Sequence, residues 1–252
     1  MNAGISLFAD GSVGLKSLQF MLRHHKEDIH SVVVYKDDSL VLEELTRQAF
    51  NPETIFVFSK GREQDLLNFL RPAPAPEFII LAWWPMIVKR DLISLPSKGV
   101  VNFHPSLLPH NRGKHYNFWT LVEETPFGVT LHLVNEDIDA GDILFQKAIA
   151  KSWEDTGESL YYKAQEAIVE LFETSYPKLK AGDYRPVPQD LEAGTFHLSK
   201  ELEGASTIVL DKTYTARELM NLLRARTFYP HPGCRFTDAT GTYQVRINIE
   251  KV

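Results

Sequence analysis

Short apolar runs alternate with amphipathic runs through the first hundred residues, and this alternation constrains the fold of the chain more than any other feature. The predicted strands are residues 5–8, 29–35, 55–58, 78–82 and 100–103, and the predicted helices are residues 13–24, 40–50 and 62–70. Alternation of this kind is typical of βαβ units, whose strands pair in parallel. We therefore expect an α/β fold with a Rossmann-like, open, mostly parallel sheet flanked by helices.

The middle of the chain continues this pattern. Residues 128–134 and 143–150 predict two further strands around an acidic loop. Residues 156–180 predict a long amphipathic helix, with Thr156 as its N-cap and Gly182 as the residue that ends it.

The texture of the sequence changes after about residue 183. Pro186 and Pro188 open a thinly apolar stretch, which is followed by a predicted helix at residues 215–227. Residues 234–237 and 242–249 predict the two strands of a β-hairpin. We expect a catalytic domain at residues 1–185 and a small α+β C-terminal module at residues 186–252, made of an arm, a helix and the β-hairpin.

Composition excludes several classes of function. The formal net charge is −6, which would repel a polyphosphate, so we expect no nucleic acid as partner. The single cysteine, Cys234, excludes an intramolecular disulfide and a multi-cysteine metal site. We find neither a signal sequence nor an apolar run of about 18 residues, so we expect no membrane partner and a cytoplasmic protein.

Polar side chains meet where a predicted parallel strand ends. Asn102 and His104 alternate at the end of one strand, and Asp139 lies in the loop after a neighbouring strand. The carboxyl ends of parallel strands are where ligands bind in such sheets. An amide can donate to an oxyanion, an imidazole can carry a proton, and a carboxylate can orient that imidazole. The three residues indicate acyl-type chemistry without a covalent nucleophile, although Asn102 and His104 could be ordinary strand residues and Asp139 a turn residue.

Other chemistries fit this region less well. An irregular, proline-containing segment carries His104, His110 and His115. No histidine pair has the helical i, i+4 spacing of zinc hydrolases, so we expect no metal. Ser106 lacks the Gly-x-Ser-x-Gly elbow that would expose a nucleophile.

Three further features have a structural interpretation beside a functional one. Gly11-Ser12 is interpreted as a turn and N-cap, with phosphate or sugar contact as the less favoured alternative. Trp83-Trp84 could be core or a stacking platform, and core contact is expected for at least one of the two rings. We expect His132 to support the site rather than to react.

The order of these residues resembles that of the folate-dependent formyltransferase family, whose members act on glycinamide ribonucleotide, methionyl-tRNA or nucleotide-linked amino sugars. The resemblance covers residues 81–146 well. The matching positions are Asn102, His104, residues 106–109, Arg112-Gly113, Gly128, His132 and Asp139-Ala140-Gly141.

The resemblance implies transfer of a formyl group from N10-formyltetrahydrofolate to an amine. Asn102 and His104 would stabilise the tetrahedral oxyanion, and Asp139 would hold His104 and help to remove the proton of the amine. The residues implied in binding the folate are Trp84, Pro85, Met86 and Val88 around the pteridine and Asn135, Glu136, Asp137 and Ile138 through the backbone. The family often has glycine where Trp83 stands.

The acceptor implied by the resemblance is a dTDP- or GDP-linked amino-dideoxy sugar, and hence a role in lipopolysaccharide O-antigen biosynthesis. Members acting on tRNA have a longer, basic C-terminal domain, and members acting on the ribonucleotide have asparagine where this chain has Val13. The implied substrate contacts are Ser106, Arg112, Gly113 and Lys114, in a loop that extends over residues 114–119.

Alternative functions stay open at this point. They are a glycinamide ribonucleotide or other small-amine formyltransferase, a formyltetrahydrofolate hydrolase, and an inactive binding module that keeps the fold. The chain is a possible homodimer, since the apolar hairpin strand could form an interface or cover the core of its own arm. The apolar positions of that strand are Tyr243, Val245, Ile247 and Ile249.

Overall fold

The computed structural model describes residues 4–36, 39–72 and 74–252. The strands are β1 (Ile5–Ala9), β2 (Ile29–Tyr35), β3 (Ile55–Phe58), β4 (Phe78–Ala82), β5 (Gly99–His104), β6 (Arg112–Gly113), β7 (Gly128–Leu133), β8 (Ile143–Ala148), β9 (Phe196–His197), β10 (Cys234–Asp238) and β11 (Gly241–Val245). The α-helices are α1 (Gly11–His24), α2 (Leu40–Arg47), α3 (Glu63–Leu70), α4 (Arg90–Ile93), α5 (Tyr116–Val122), α6 (Gly157–Ala181), α7 (Glu201–Ala205) and α8 (Ala216–Ala225). Among the described residues, no helix has the length and apolar character needed to cross a membrane.

A seven-stranded sheet has the strand order β3-β2-β1-β4-β5-β7-β8. The pairs β1–β2, β1–β4, β2–β3 and β4–β5 are parallel. The predicted α/β fold with a mostly parallel sheet is therefore confirmed. From β1 the chain continues to β2 and β3 on one side, and it returns to β4 on the other side. The boundary between β1 and β4 is thus a topological switch point, the place where open α/β sheets bind ligands.

The chain divides into two compact units. The first comprises the described residues up to His104 together with Leu131–Phe145 and Ile168–Pro188. The second comprises Pro105–Thr130, Gln146–Ala167 and Gln189–Val252. The division at residues 185 and 186 that the sequence predicts stays a prediction.

The first unit is built around strands that are buried on both faces. Every residue of β1 and β4 is buried, as expected of central parallel strands. One face of the sheet carries an apolar cluster that includes Phe8, Val33 and Ile79. On α6, Phe172 lies 5.0 Å from the ring of Phe103, measured between centroids. Each such fully buried side chain contributes about 1.5–3 kcal/mol to folding.

The long helix α6 ends where its sequence predicts. Gly182 has the left-handed φ of 72°, its N–H donates to the Leu179 carbonyl, and the N–H of Asp183 donates to the Lys178 carbonyl at 2.9 Å. This is a Schellman motif with glycine in the position that disfavours a Cβ. At the other end of α6, in the second unit, the Ser159 N–H donates to the hydroxyl of Thr156 at 3.2 Å, so the predicted cap is also confirmed.

The second unit contains the predicted C-terminal hairpin, although its second strand ends at Val245 and not at residue 249. Strands β10 and β11 pair antiparallel, and the rings of Phe236 and Tyr243 stack across them with centroids 5.2 Å apart. Helix α8 begins with a capping box formed by Thr215 and Glu218. Residues 114–119 were predicted as a loop, but helix α5 begins within them at Tyr116. Its aromatic residues have modest helix propensity, and burial of Tyr116 and Phe118 supplies the stabilisation instead.

Candidate active site

Asn102 and His104 are carried by the last residues of β5 in the first unit. Asn102 pairs in register with Leu81 of β4, which fixes its height in the sheet. Asn102 is half-buried, whereas His104 is buried. Their alternate positions put both side chains on the same face at the carboxyl edge of the sheet.

Asp139 reaches this edge from the loop between β7 and β8. Its backbone has the left-handed φ of 52°, which aspartate tolerates better than most residues. The base of the loop is closed by the Leu133 N–H, which donates to the Asp142 carbonyl at 2.8 Å. Gly141 packs directly on the same strand end, where a Cβ would overlap the carbonyl oxygen of Leu133. Glycine at position 141 therefore allows the loop to hold Asp139 over β5.

The structure brings together the three residues that the sequence analysis singled out, and we refer to Asn102, His104 and Asp139 as the polar trio. Nδ1 of His104 lies 3.4 Å from Oδ2 of Asp139. Nδ2 of Asn102 donates to Oδ1 of Asp139, also at 3.4 Å. The carboxylate thus faces both the amide and the imidazole, and Nε2 of His104 is the ring nitrogen that does not face Asp139.

His132 of β7 completes the cluster from a buried position. Its Nδ1–H donates to the Leu133 carbonyl at 2.8 Å, so its Nε2 carries a lone pair and accepts from Nδ2 of Asn102 at 3.2 Å. Burial, followed by the nearby positive charge of His104, lowers the pKa of His132 to about 4. The imidazole of His132 is therefore neutral at pH 7, and it acts on Asn102 as a hydrogen-bond acceptor.

Three residues of this cluster have side chains of the kinds that bind metal ions, although their spacing in the sequence does not indicate a metal site. The polar atoms of His104, His132 and Asp139 all lie within 4.8 Å of one another. Two imidazoles and a carboxylate are ligand types that zinc accepts. Nδ1 of His132 donates and its Nε2 accepts, so a cation bound at Nε2 would have to replace the hydrogen bond from Asn102.

The residues implied in binding the pteridine lie after β4. The ring of Trp84 packs edge-on to Phe8 at 5.1 Å and lies 5.6 Å from Phe58, measured between centroids. Met86 and Val88 pack against the same apolar cluster. The indole of Trp84 is thus core for part of its surface, as the sequence analysis expected for one of the two tryptophans.

The second implied folate segment is the exposed tip of the β7–β8 loop. Oδ1 of Asn135 accepts from the Asp137 N–H at 3.1 Å, which forms a local turn. The side chain of Glu136 lies 3.4 Å from Nε of Arg90, measured from Oε1. This ion pair joins the segment after Trp84 to the loop that carries Asp139. Both implied folate segments therefore belong to one region of the first unit.

Trp83 has an unusual backbone for an aromatic residue. Its φ of 65° lies in the left-handed region, where a bulky side chain is an outlier and costs about 1–3 kcal/mol. Glycine, which relatives often have at this position, adopts that conformation without strain. The sequence predicts core or stacking contact for this residue, and the glycine of the relatives is the signal of the strained backbone.

The implied substrate contacts lie in the second unit and serve partly to build it. The hydroxyl of Ser106 is buried and donates to the His110 carbonyl at 2.7 Å. Gly113 has a φ of 89° and pairs with His197, whose carbonyl oxygen a Cβ at position 113 would overlap. The guanidinium of Arg112 lies over the ring of Phe196, and Lys114 is exposed. Arg112 and Lys114 are the cations of this set.

Similar structures match the chain over nearly its whole length. A sugar N-formyltransferase from Shewanella sp FDAARGOS_354 is 20% identical, with a TM-score of 0.80 over 99% of this chain and 98% of that one. A 4-N formyltransferase from Francisella tularensis is 23% identical, with a TM-score of 0.79 over 99% of both chains. An N-formyltransferase from Helicobacter canadensis, in complex with folinic acid and dTDP-3-aminofucose, is 20% identical, with a TM-score of 0.68 over 88% of this chain and 80% of that one. At these identities the likeness shows the fold.

The amino-acid sequence also matches two protein families. A family described as N-formyltransferase dimerization C-terminal domain matches residues 201–251. A family described as formyl transferase matches residues 13–174, which span more than half of the chain and include the polar trio. The chain therefore belongs to the formyl transferase family.

Proposed function

We propose that the protein transfers a formyl group from N10-formyltetrahydrofolate to the primary amine of a nucleotide-linked amino sugar. The observation that carries this proposal is the convergence of Asn102 and His104 on the carboxylate of Asp139, at 3.4 Å each, in a chain of the formyl transferase family. The relative that holds folinic acid and dTDP-3-aminofucose supports both substrate classes.

The proposed reaction is an acyl transfer without a covalent enzyme intermediate. The amine nitrogen attacks the formyl carbon, and the carbonyl π electrons move to oxygen to give a tetrahedral oxyanion. His104, protonated and held through Nδ1 by Asp139, donates from Nε2 to this oxygen. Asp139 accepts the proton that the amine loses. The oxyanion then collapses to re-form the carbonyl group and the C–N10 bond breaks. N10 takes up the proton that Asp139 removed from the amine, and the products are tetrahydrofolate and the formamido sugar.

Asn102 acts on the oxyanion with one of its two amide hydrogens. The first hydrogen is engaged by Nε2 of His132 at 3.2 Å, which fixes the plane of the amide. The second points to Asp139 over the longer distance of 3.4 Å, so it makes the weaker of the two contacts. When Oδ1 of Asp139 accepts the proton of the amine, it loses its charge, and this N–H then donates to the oxygen of the formyl group.

The folate is proposed to bind between the two segments that the Arg90–Glu136 ion pair joins. Its proposed contacts are Trp84, Pro85, Met86, Val88, Asn135, Glu136, Asp137 and Ile138. Trp84, Met86 and Val88 supply apolar surface that is already anchored on the core. The loop tip supplies exposed backbone groups. For the acceptor, Arg112 and Lys114 are proposed as partners of the diphosphate, whereas Ser106 and Gly113 shape the segment that carries them.

The protein is proposed to act as a homodimer in the cytoplasm. The match of residues 201–251 to a dimerization domain supports the dimer, as does the exposure of 44% of Tyr243 on the hairpin. The lone and buried Cys234 fits a reducing compartment. We also propose the division into a catalytic domain at residues 1–185 and a C-terminal module at residues 186–252.

A panel of amino-sugar nucleotides with N10-formyltetrahydrofolate tests the proposal. The expected product has the mass of one added formyl group, and its formation should be lost in the His104→Asn variant. A product with glycinamide ribonucleotide alone would make the protein a ribonucleotide formyltransferase. Release of formate from the folate without any acceptor would make it a hydrolase.

A further inference from the structure

Trp83 is a strained aromatic residue at the switch point of the sheet. It follows β4 directly, and its side chain is half-buried. Its left-handed φ of 65° is one that a tryptophan rarely adopts. Backbone strain of this kind persists where the surrounding structure imposes it, and it concentrates at ligand sites. The position of Trp83 therefore calls for a functional explanation.

The side chain of Trp83 lies against the turn that follows β1. The Asp10 N–H donates to the Ala82 carbonyl at 3.2 Å, which ties this turn to the end of β4. Cδ1 of Trp83 lies 3.8 Å from the point that a Cβ of Gly11 would occupy. On the other side of β4 is β5, where Asn102 pairs in register with Leu81. Adjacent strands are about 4.8 Å apart, so Trp83 lies one strand from the polar trio.

Trp83 and the next residue, Trp84, have different surroundings. Trp84 turns into the apolar cluster, and the segment beyond it reaches the β7–β8 loop through the ion pair of Arg90 with Glu136. That loop follows β7, which lies on the far side of β5 from β4. The side chain of Trp83 instead lies near the turn after β1. The indole of Trp83 thus lies beside Gly11-Ser12, the turn whose functional interpretation is contact with a phosphate or a sugar, whereas the proposed pteridine contacts Trp84, Met86 and Val88 pack on the apolar cluster.

On the basis of the proposed function, we propose that the indole of Trp83 is the platform on which the hexose ring of the acceptor packs. The hexose carries the reacting amine, so the hexose must lie next to the polar trio. The nucleobase is farther away, because the ribose and the diphosphate separate it from the hexose. A dideoxy sugar presents C–H groups that an aromatic face can cover. Trp83 would therefore recognise the apolar face of the sugar and hold its amine toward the formyl carbon.

The variant Trp83→Gly tests this role, because glycine adopts the local backbone without strain. We expect the KM for the amino-sugar nucleotide to rise about tenfold to hundredfold while the KM for N10-formyltetrahydrofolate stays within about twofold. Lys36→Gly is the matched control, since Lys36 has a φ of 66° and should leave both KM values unchanged. Trp83→Phe should retain most of the affinity. If the glycine variant fails to fold by circular dichroism, Trp83→Asn replaces it, since asparagine tolerates a positive φ.

A binding comparison identifies the ligand group. Titration calorimetry with dTDP alone should give the same Kd for wild type and Trp83→Gly, whereas a dTDP-linked amino sugar should bind the variant more weakly. An equal loss with dTDP would assign the indole to the base, and a raised KM for the folate would assign it to the pterin. Either result overturns the inference, as does an unchanged KM for the sugar nucleotide. A wild-type protein that formylates no amino-sugar nucleotide would instead overturn the proposed function.

Discussion

Nε2 of His132 accepts a hydrogen bond from Nδ2 of Asn102 at 3.2 Å, and Nδ1 of the same ring donates to the Leu133 carbonyl at 2.8 Å. The second contact sets the tautomer, and the tautomer makes the first contact possible. A residue that need not touch substrate therefore controls which way the amide of Asn102 faces. The proposed oxyanion contact depends on that orientation.

Replacing His132 with leucine should slow formyl transfer without unfolding the protein. The variant leaves one N–H of Asn102 without its partner, so we expect kcat to fall about tenfold to hundredfold, or about 1.4–2.7 kcal/mol. The variant His132→Gln keeps an acceptor oxygen and should recover part of the loss. Steady-state kinetics decide the matter, and equal kcat values for all three proteins would refute the positioning role.

The variants Asp139→Asn and His104→Asn should each lower kcat by about 10²–10⁴-fold, because an amide neither accepts the proton of the amine nor donates as an imidazolium does. Far-UV circular dichroism and thermal melting should match those of the wild type. Rates near the wild-type value in either variant would show that the polar trio is not the reaction centre.

The variant Gly141→Ala should impair transfer through the position of Asp139. A Cβ at residue 141 would overlap the Leu133 carbonyl oxygen, so the loop must shift at its base. A displacement of about 1 Å costs about 10²-fold in rate. Gly204→Ala serves as the control, because apart from the two adjacent residues and the backbone of its own helix no atom lies within 4 Å of the added Cβ. Unchanged kcat/KM in Gly141→Ala would contradict this account of the loop.

The stability of the protein should depend on pH through His132. Burial lowers its folded-state pKa to about 4, below the value of about 6.5 in an unfolded chain. Between these values the unfolded chain binds more protons, so the free energy of unfolding falls as the pH is lowered from 6.5 toward 4, by up to about 1.4 kcal/mol per pH unit. Above pH 6.5 the residue contributes no slope. Denaturant unfolding at pH 7.5 and pH 5 measures the free energy of unfolding of the wild type and of His132→Leu. We expect a larger loss between the two pH values for the wild type, and an equal loss in both proteins would contradict this role of His132.

The proposed dimer should have twice the chain mass of 28.7 kDa by light scattering. Tyr243→Asp places a charge on the exposed hairpin and should shift the protein toward the monomer. Leu40→Asp is the matched control, because Leu40 is similarly exposed but lies outside residues 201–251. A monomeric wild type, or a dimer that both variants leave intact, would exclude the hairpin as the interface.

The sheet could be predicted because its central strands, β1 and β4, are buried on both faces and the strands beside them are also short apolar runs. Strands of that kind read as continuous apolar runs, and the predicted bounds of 29–35, 55–58 and 78–82 agree with β2, β3 and β4. Helices α4 and α5 are too short to show a helical period. The β6–β9 pair joins segments that lie more than eighty residues apart, and only tertiary packing specifies it.

The polar trio could be predicted from residue order, whereas its internal geometry could not. Asn102, His104 and Asp139 stand out because they follow strands that share one edge of the sheet. The hydrogen bond of His132 to Asn102 depends on side-chain rotamers and on a tautomer, which a sequence does not encode locally. Its signal in the sequence was the position of His132 on a strand beside the site. Nothing in the local sequence requires the left-handed backbone of Trp83, and its only indication beforehand is the glycine that the family often has at this position.

The backbone carbonyl oxygen of Leu133 makes two contacts: it accepts the Nδ1–H of His132, and it lies directly against Gly141. The base, or root, of the β7–β8 loop is therefore fixed by two contacts, whereas neither contact involves the exposed residues 135–138 at its tip. Substitutions at the tip can therefore change ligand binding without moving the carboxylate of Asp139. Divergence among related proteins should accordingly accumulate at the tip and spare the root.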